Sequence, residues 1–264
     1  MIALPARIAV AGDWHGNARF ARRMIRAVSE GSGDPVYAIV HVGDFGLMGN
    51  DLHSFVSRVN TACRARGIEM LVIPGNHENY EWIGAQATNE EGVARIASNI
   101  RLLPRGYRFT VGDKTACAVG GAVSVDRAWR TEGETWWPGE ELTDAECVAI
   151  CEQEPVDYLF THDMPTEAGG ASDSDEDFVR SWGQAAAMKS WAHSARIRRI
   201  SDGLTPELLV HGHMHKRYTR VHQWTSSAGQ PYEVRVEGLA CDGMTGKIAI
   251  LDSLIPALSR STRR

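Results

Sequence analysis

Three short, almost unbroken apolar runs, each followed by a longer amphipathic stretch, constrain this chain more than anything else in its sequence. Arg7–Ala11 (RIAVA) precedes Ala18–Val28, and Val36–Val42 (VYAIVHV) precedes Leu52–Arg66. Ile68–Pro74 precedes a segment that turns helical from about Asn79. A strand with one wet face alternates apolar and polar residues, whereas a strand covered on both faces reads as a continuous apolar run. Such runs alternating with helix-length segments predict a largely parallel sheet covered by helices.

The middle of the chain changes character. Tyr107–Thr110 and Thr115–Val119 are expected to pair as a hairpin around Gly112-Asp113. Gly120–Gly139, rich in Gly, Trp and charge, reads as a long functional loop. Thr143 with Glu146 three residues later has the signature of a capping box and starts a helix at about Asp144–Glu152. Val156–Phe160 reads as another buried strand. Pro165–Asp177 reads as a mobile loop, and its SDSDED run lacks the spacing and glycine of a calcium loop. Ser181–Ile200 is expected to be helical, and Leu208–Val210, Arg217–Gln223, Glu233–Glu237 and Lys247–Leu251 to be strands. The pattern predicts an α/β fold with two packed sheets flanked by helices. One domain is expected over residues 1–255, with a flexible tail at 256–264.

A chain of 264 residues, 43% hydrophobic and 23% charged, can bury a large core without disulfides. Its five cysteines form no CxxC pair and read as reduced thiols. The N-terminus lacks the pattern of a signal peptide, and no apolar run approaches the roughly 18 residues a bilayer span needs. The expected compartment is the cytoplasm, with no membrane partner. A net charge of -5 argues against a general nucleic-acid binder, the only concentrated basic run being Arg260–Arg264.

Five segments, each directly after an expected strand, carry chemistry: Asp13-Trp14-His15, Gly43-Asp44, Gly75-Asn76-His77-Glu78, Thr161-His162 and Gly212-His213-Met214-His215. Sites in α/β sheets gather beyond the carboxyl ends of strands, so these loops could converge. Imidazole and carboxylate oxygen suit Mn, Fe, Zn and related divalent ions. Any one segment alone is commonly a turn; all five in order are not.

On these residues the chain resembles the calcineurin-like metallophosphoesterase superfamily, from Gly12-Asp13-Trp14-His15-Gly16-Asn17 through Gly212-His213-Met214-His215. The resemblance implies a four-layer αββα sandwich of two mixed sheets around a dinuclear centre. It implies that Asp13, His15 and His215 bind one metal, that Asn76, His162 and His213 bind the other, and that Asp44 bridges them. Mn2+ is the expected ion, with Fe, Zn, Ni, Co or Mg as alternatives. His77 would sit by the phosphate as the catalytic residue, donating a proton to the leaving oxygen or stabilising transition-state charge. Two metals about 3.5–4 Å apart would activate a bridging hydroxide for in-line attack.

The chain also departs from relatives. Protein phosphatases and dinucleoside-polyphosphate hydrolases carry GDxVDRG, where this chain has Gly43-Asp44-Phe45-Gly46-Leu47-Met48-Gly49. Leu47 replaces an Asp that supports the catalytic His, and Met48 replaces a phosphate-binding Arg. The chain is thus more similar to the smaller bacterial and phage phosphodiesterase-type members. The expected activity is hydrolysis of phosphodiesters, cyclic nucleotides among them, or of small phosphomonoesters. A nuclease, or a non-catalytic binding module, is the alternative. Asn17, Arg127, Arg130 and Trp137 are candidate substrate contacts, through hydrogen bonding, charge and stacking. Asn17 could equally cap the helix at Ala18, and the tryptophans could anchor their loop. His41 and His211 read as packed or orienting residues, and His53, His193 and His222 as structural or exposed.

Overall fold

The computed structural model describes residues 1–31, 34–168, 175–244 and 248–250. Its elements in chain order are β1 (Ala3–Leu4), β2 (Ala9–Ala11), α1 (Ala18–Glu30), β3 (Ala38–Val42), α2 (Leu52–Arg64), β4 (Glu69–Ile73), α3 (Tyr80–Gly84), β5 (Ala94–Ala97), β6 (Ile100–Leu102), β7 (Tyr107–Val111), β8 (Lys114–Val119), α4 (Asp144–Cys151), β9 (Tyr158–Thr161), α5 (Asp175–Trp182), α6 (Gln184–Leu204), β10 (Leu208–His211), β11 (Tyr218–Thr225), β12 (Pro231–Gly238) and β13 (Ile248–Ile250).

Among these residues the strands form two mixed sheets. One runs β13-β2-β3-β4-β6-β5, with β2, β3, β4 and β6 parallel. The other runs β1-β7-β8-β9-β10-β12-β11, with β8, β9, β10 and β12 parallel. The side-chain alternation of each strand sorts its residues between two cores. Val10, Val40 and Leu71 meet Phe109, Phe160 and Val210 between the sheets. On the next positions, Ala9, Ile39 and Met70 face Phe20, Ile25 and Phe55 of α1 and α2. Across the molecule, Leu159 and Leu209 face Ile150 of α4 and Ile197 of α6. Three apolar layers between four secondary-structure layers make the expected αββα sandwich. Each large side chain buried this way contributes roughly 1.5–3 kcal/mol.

Local signals hold where they are strong. Thr143 and Glu146 form the capping box of α4, each side chain serving the other's backbone N–H. Asn17 caps α1, its side chain accepting from the Phe20 N–H at 3.0 Å. Other elements differ from expectation. The hairpin of β5 and β6 and the short β1 carry no clear alternation. The stretch read as a loop to Asp177 is helical from Asp175, giving α5. The rest of the SDSDED segment and the tail 256–264 lie outside the described residues, as does part of the expected last strand. The described residues include all five cysteines and contain no disulfide. No helix among them is long and apolar enough to cross a membrane.

Candidate metal centre and cleft

The sheet order explains why distant residues meet. β2, β3 and β4 are neighbours in one sheet, and β9 and β10 are neighbours in the other. Asp13, Asp44, Asn76, His162 and His213 each lie just past the carboxyl end of one of these strands. Reaching a common point so close to the strand ends demands unusual backbone. Among the described residues seven non-glycines have positive φ, and five of them are Asp13, His15, Asp44, His213 and His215, at φ of 45–63°. L-residues pay roughly 1–2 kcal/mol each for that conformation, and such strain concentrates at functional sites. Glycines clear the remaining space. A Cβ on Gly43 would lie 2.0 Å from His162 Nδ1, and one on Gly212 would lie 2.4 Å from Asp13 Oδ2.

The side chains form two groups that share one member. Ligand atoms of Asp13, His15, Asp44 and His215 lie within 4.8 Å of one another, as do those of Asp44, His162 and His213. Asp44 Oδ2 is 3.3 Å from His15 Nε2, and Asp44 Oδ1 is 3.3 Å from His162 Nε2. Asn76 joins the second group, its Oδ1 lying 3.0 Å from His162 Nε2. The outer shell sets which atoms point inward. His162 Nδ1 donates to the Val42 carbonyl at 2.8 Å, leaving Nε2 for the centre. His15 Nδ1 faces Asp242 at 3.6 Å. Asn76 Nδ2 donates to Ser124 Oγ at 3.0 Å, and that hydroxyl donates to Glu140 at 2.7 Å, which turns Asn76 Oδ1 inward. Buried Glu78 accepts the N–H groups of Gly46 and Gly75 and so clamps the β3 and β4 loops together.

The electrostatics call for cations. Burial opposes charge on His162 and His15, yet Asp44 with Asp13 raises them to about 10 and about 9. At His213 burial, with the neighbouring His162 charge, outweighs the carboxylates and pushes the imidazole down to about 4. Among the described residues, buried Asp13 Oδ2 has no hydrogen-bond partner. Carboxylate, amide and imidazole atoms converging around a buried, unpartnered oxygen fit a pair of divalent cations.

His77 stands at the edge, its Nε2 3.9 Å from Asp44 Oδ2. Leu47, in place of a supporting Asp, is buried in the core beneath α1 and α2. A different pair reaches His77. Arg130 Nη2 lies 3.0 Å from His77 Nδ1 and 3.3 Å from Nε2. Asp126 holds the same guanidinium by two bonds, at 2.6 and 2.7 Å. Because Arg130 Nη2 is close to both ring nitrogens at once, it lies over the face of the His77 ring and braces it. Burial first, and then the Arg130 charge, keeps His77 below the ordinary imidazole value despite Asp44.

A cleft of about 600 Å³ opens on the centre. It is lined by Asp44, Asn76, His77, His213 and His215 of the centre and by Phe178, Trp182 and Trp191. None of the four expected substrate contacts lines it. Arg130 braces His77. Asn17 caps α1 and donates to Asp242 at 2.9 Å. Arg127 stacks on the Trp136 ring at 3.6 Å, and Trp137 is buried. His41 packs against Trp14 and Phe45, His193 donates to Asp163 at 2.7 Å, and His211 bonds Gly212 and Tyr218. The sequence reading missed Ser124, Glu140 and Asp242, which orient ligands, and the aromatic wall.

Residues 6–217 match the sequence model of the family described as calcineurin-like phosphoesterase. No curated protein matches the chain in sequence. In three dimensions it is similar to the phosphopantetheinyl hydrolase from Mycobacterium tuberculosis at a TM-score of 0.53 and 12% identity, with 95% of this chain and 96% of that chain covered. It is also similar to a dimetal phosphatase from Danio rerio, at a TM-score of 0.42 and 13% identity over 89% of this chain and 87% of that one.

Proposed function

The chain belongs to the calcineurin-like phosphoesterase family, and from that premise we propose that it is a dinuclear-metal phosphodiesterase of small esters. Membership makes it a phosphoric ester hydrolase. The observation that carries the finer reading is the pair of ligand groups joined at Asp44. Asp13, His15 and His215 would hold one cation, and Asn76, His162 and His213 the other, with Asp44 between them. Bound there, two divalent cations supply an activated water and neutralise charge on phosphoryl oxygens. Manganese suits this nitrogen and oxygen set and is the ion to test first.

The chain's own residues do the rest. Asp44 is held by the His77 N–H at 2.9 Å, which fixes one carboxylate oxygen and leaves the other toward His15. His77 would offer a ring N–H to a phosphoryl or leaving oxygen as negative charge grows. Its lowered proton affinity favours hydrogen bonding to that charge over outright proton donation. The cleft favours a diester over a monoester. Arg130 is spent on Asp126 and Thr135, and Met48 stands where a clamp arginine would, so Lys216 is the cationic side chain among the cleft's lining residues. Undisulfided cysteines fit a reducing compartment such as the cytoplasm.

A second reading, a nuclease, is favoured by one surface. Arg19, Arg22, Arg23, Arg26, Arg58 and Arg66 line a groove between α1 and α2, a feature suited to a phosphate backbone. One assay set separates these readings. With Mn2+, bis-p-nitrophenyl phosphate is turned over faster than p-nitrophenyl phosphate, EDTA abolishes turnover, and single-stranded DNA stays intact. His77→Ala keeps its metal and loses roughly 10²–10³-fold in kcat, as loss of a donor to developing charge does. DNA cleavage without small-diester activity selects the nuclease, and unchanged kcat in His77→Ala removes that residue from the mechanism.

A further inference from the structure

The wall facing the metal centre is made of aromatic side chains that the fold does not need. Phe178 and Trp182 lie four residues apart on α5, hence on one helix face. Trp191 of α6 stands 6.3 Å from Phe178, and Trp129 of the middle loop stands 5.9 Å from Trp182. None of the four belongs to the three cores. Trp129 is 73% exposed and Trp182 38% exposed. Large aromatic rings left in water next to a concave site mark a surface that another molecule covers.

Several of the cleft's polar groups are already partnered. Ser194 donates to Asp163 at 3.2 Å, Glu167 pairs with Arg198 at 2.6 Å, and Asp126 is taken by Arg130. The cleft thus joins the Asp44 centre to the rings of Phe178, Trp182 and Trp191. A volume of about 600 Å³ lies within the usual range for a small organic ligand.

We propose that the substrate is a phosphoester carrying a flat aromatic group, an aryl ring or a nucleobase, which stacks on Phe178, Trp182 and Trp191 while its phosphoryl group sits at the Asp44 centre. The proposal rests on the phosphoesterase reading and gives it a substrate class. The specificity wall is therefore α5 and the start of α6. The loop around Arg127–Trp137 contributes to it only through Trp129.

The test is a binding measurement on the Mn2+-loaded protein. Phosphinates carry the single charge of a diester and have no P–O–C bond to cleave. Dimethylphosphinate, benzyl(methyl)phosphinate and a 5′-deoxynucleoside whose 5′-carbon carries the methylphosphinate phosphorus are titrated by calorimetry. The benzyl or the nucleoside compound is expected to bind roughly tenfold or more tighter than the dimethyl compound, as stacking on aromatic side chains implies. Whichever of the two leads identifies the aromatic group as aryl or nucleobase. In Phe178→Ala and Trp182→Ala the preference collapses toward one. Because the readout is a ratio within each variant, a general loss of affinity does not mimic the result. Equal affinity for all three compounds in the wild type, or a preference that survives in both variants, overturns the proposal. Hydrolysis of bis-p-nitrophenyl phosphate on the same samples reports separately on the parent reading.

Discussion

At the scale of single residues, the centre depends on which atom each side chain is made to present. The carbonyl of Val42 fixes His162, Ser124 and Glu140 fix Asn76, and Arg130 on Asp126 fixes His77. The last assignment makes a specific demand. If Arg130 holds the His77 ring in place, then Arg130→Met lowers kcat on bis-p-nitrophenyl phosphate by roughly 10–100-fold, as loss of an orienting partner typically does. KM and bound metal should change little. Arg130→Lys restores only part of the loss, because an ammonium cannot keep both Asp126 bonds and the His77 contact. The double variant with His77→Ala should be no slower than His77→Ala alone, since the two residues act as one unit. Additive losses would instead mean that Arg130 touches substrate. These candidate ligands were legible in sequence because each is a metal-binding residue type placed after an apolar run. Their orienting partners were not. Ser124, Asp126 and Glu140 come from a different loop, and no periodicity connects them to Asn76 or His77.

At the scale of elements, the buried parallel strands were the readable part. β2, β3, β4, β9 and β10 are short apolar runs, and the ligands hang from their ends. The β5–β6 hairpin was illegible because ARIA and IRL are short and half-exposed. The helix α5 was hidden because DEDFVRSW continues an acidic run that reads as solvated. Strand order depends on contacts far apart in the chain, and Asp157 shows how such contacts are tied. Just before β9, its carboxylate accepts from the Thr115 N–H at 2.7 Å, the Thr115 hydroxyl at 2.9 Å and Lys114 at 3.0 Å, all at the start of β8. Partial burial works against its charge, but the Thr115 and Lys114 donors outweigh that and hold Asp157 below the ordinary carboxylate range. Because the folded value lies below the unfolded one, the stability it contributes is present above about pH 4. That stability is lost as pH falls through the folded value. Asp157→Asn should cost on the order of 1 kcal/mol at pH 7, a figure reduced for a carboxylate about one-third exposed. Urea midpoints of wild type and variant should differ at pH 7 and converge below pH 4. A difference that persists in acid would assign the effect to shape rather than charge.

At the scale of the whole molecule, the site joins the two sheets at one end. Asp13, His15, Asp44 and Asn76 come from the β13–β5 sheet, and His162, His213 and His215 from the β1–β11 sheet. Between the sheets lies an apolar layer, in which Val10 and Val40 share one core with Phe160 and Val210. At the strand ends that layer gives way to carboxylates and imidazoles, which attract no further apolar packing. Cations bound there would bridge the sheets where side-chain packing stops. An ion that binds only the folded state stabilises it by RT ln(1 + [L]/Kd), about 2.7 kcal/mol at a hundredfold excess over Kd. For a chain of this size that corresponds to a melting shift of roughly 5–10 °C. Mn2+ should therefore raise the melting temperature by that amount, and EDTA should reverse it. The shift should vanish in Asp44→Ala, because Asp44 is the one residue in both ligand groups. His213→Ala damages one group and leaves the other whole, so part of the shift should survive there. Equal shifts in Asp44→Ala and wild type would place the stabilising ion somewhere other than between the sheets.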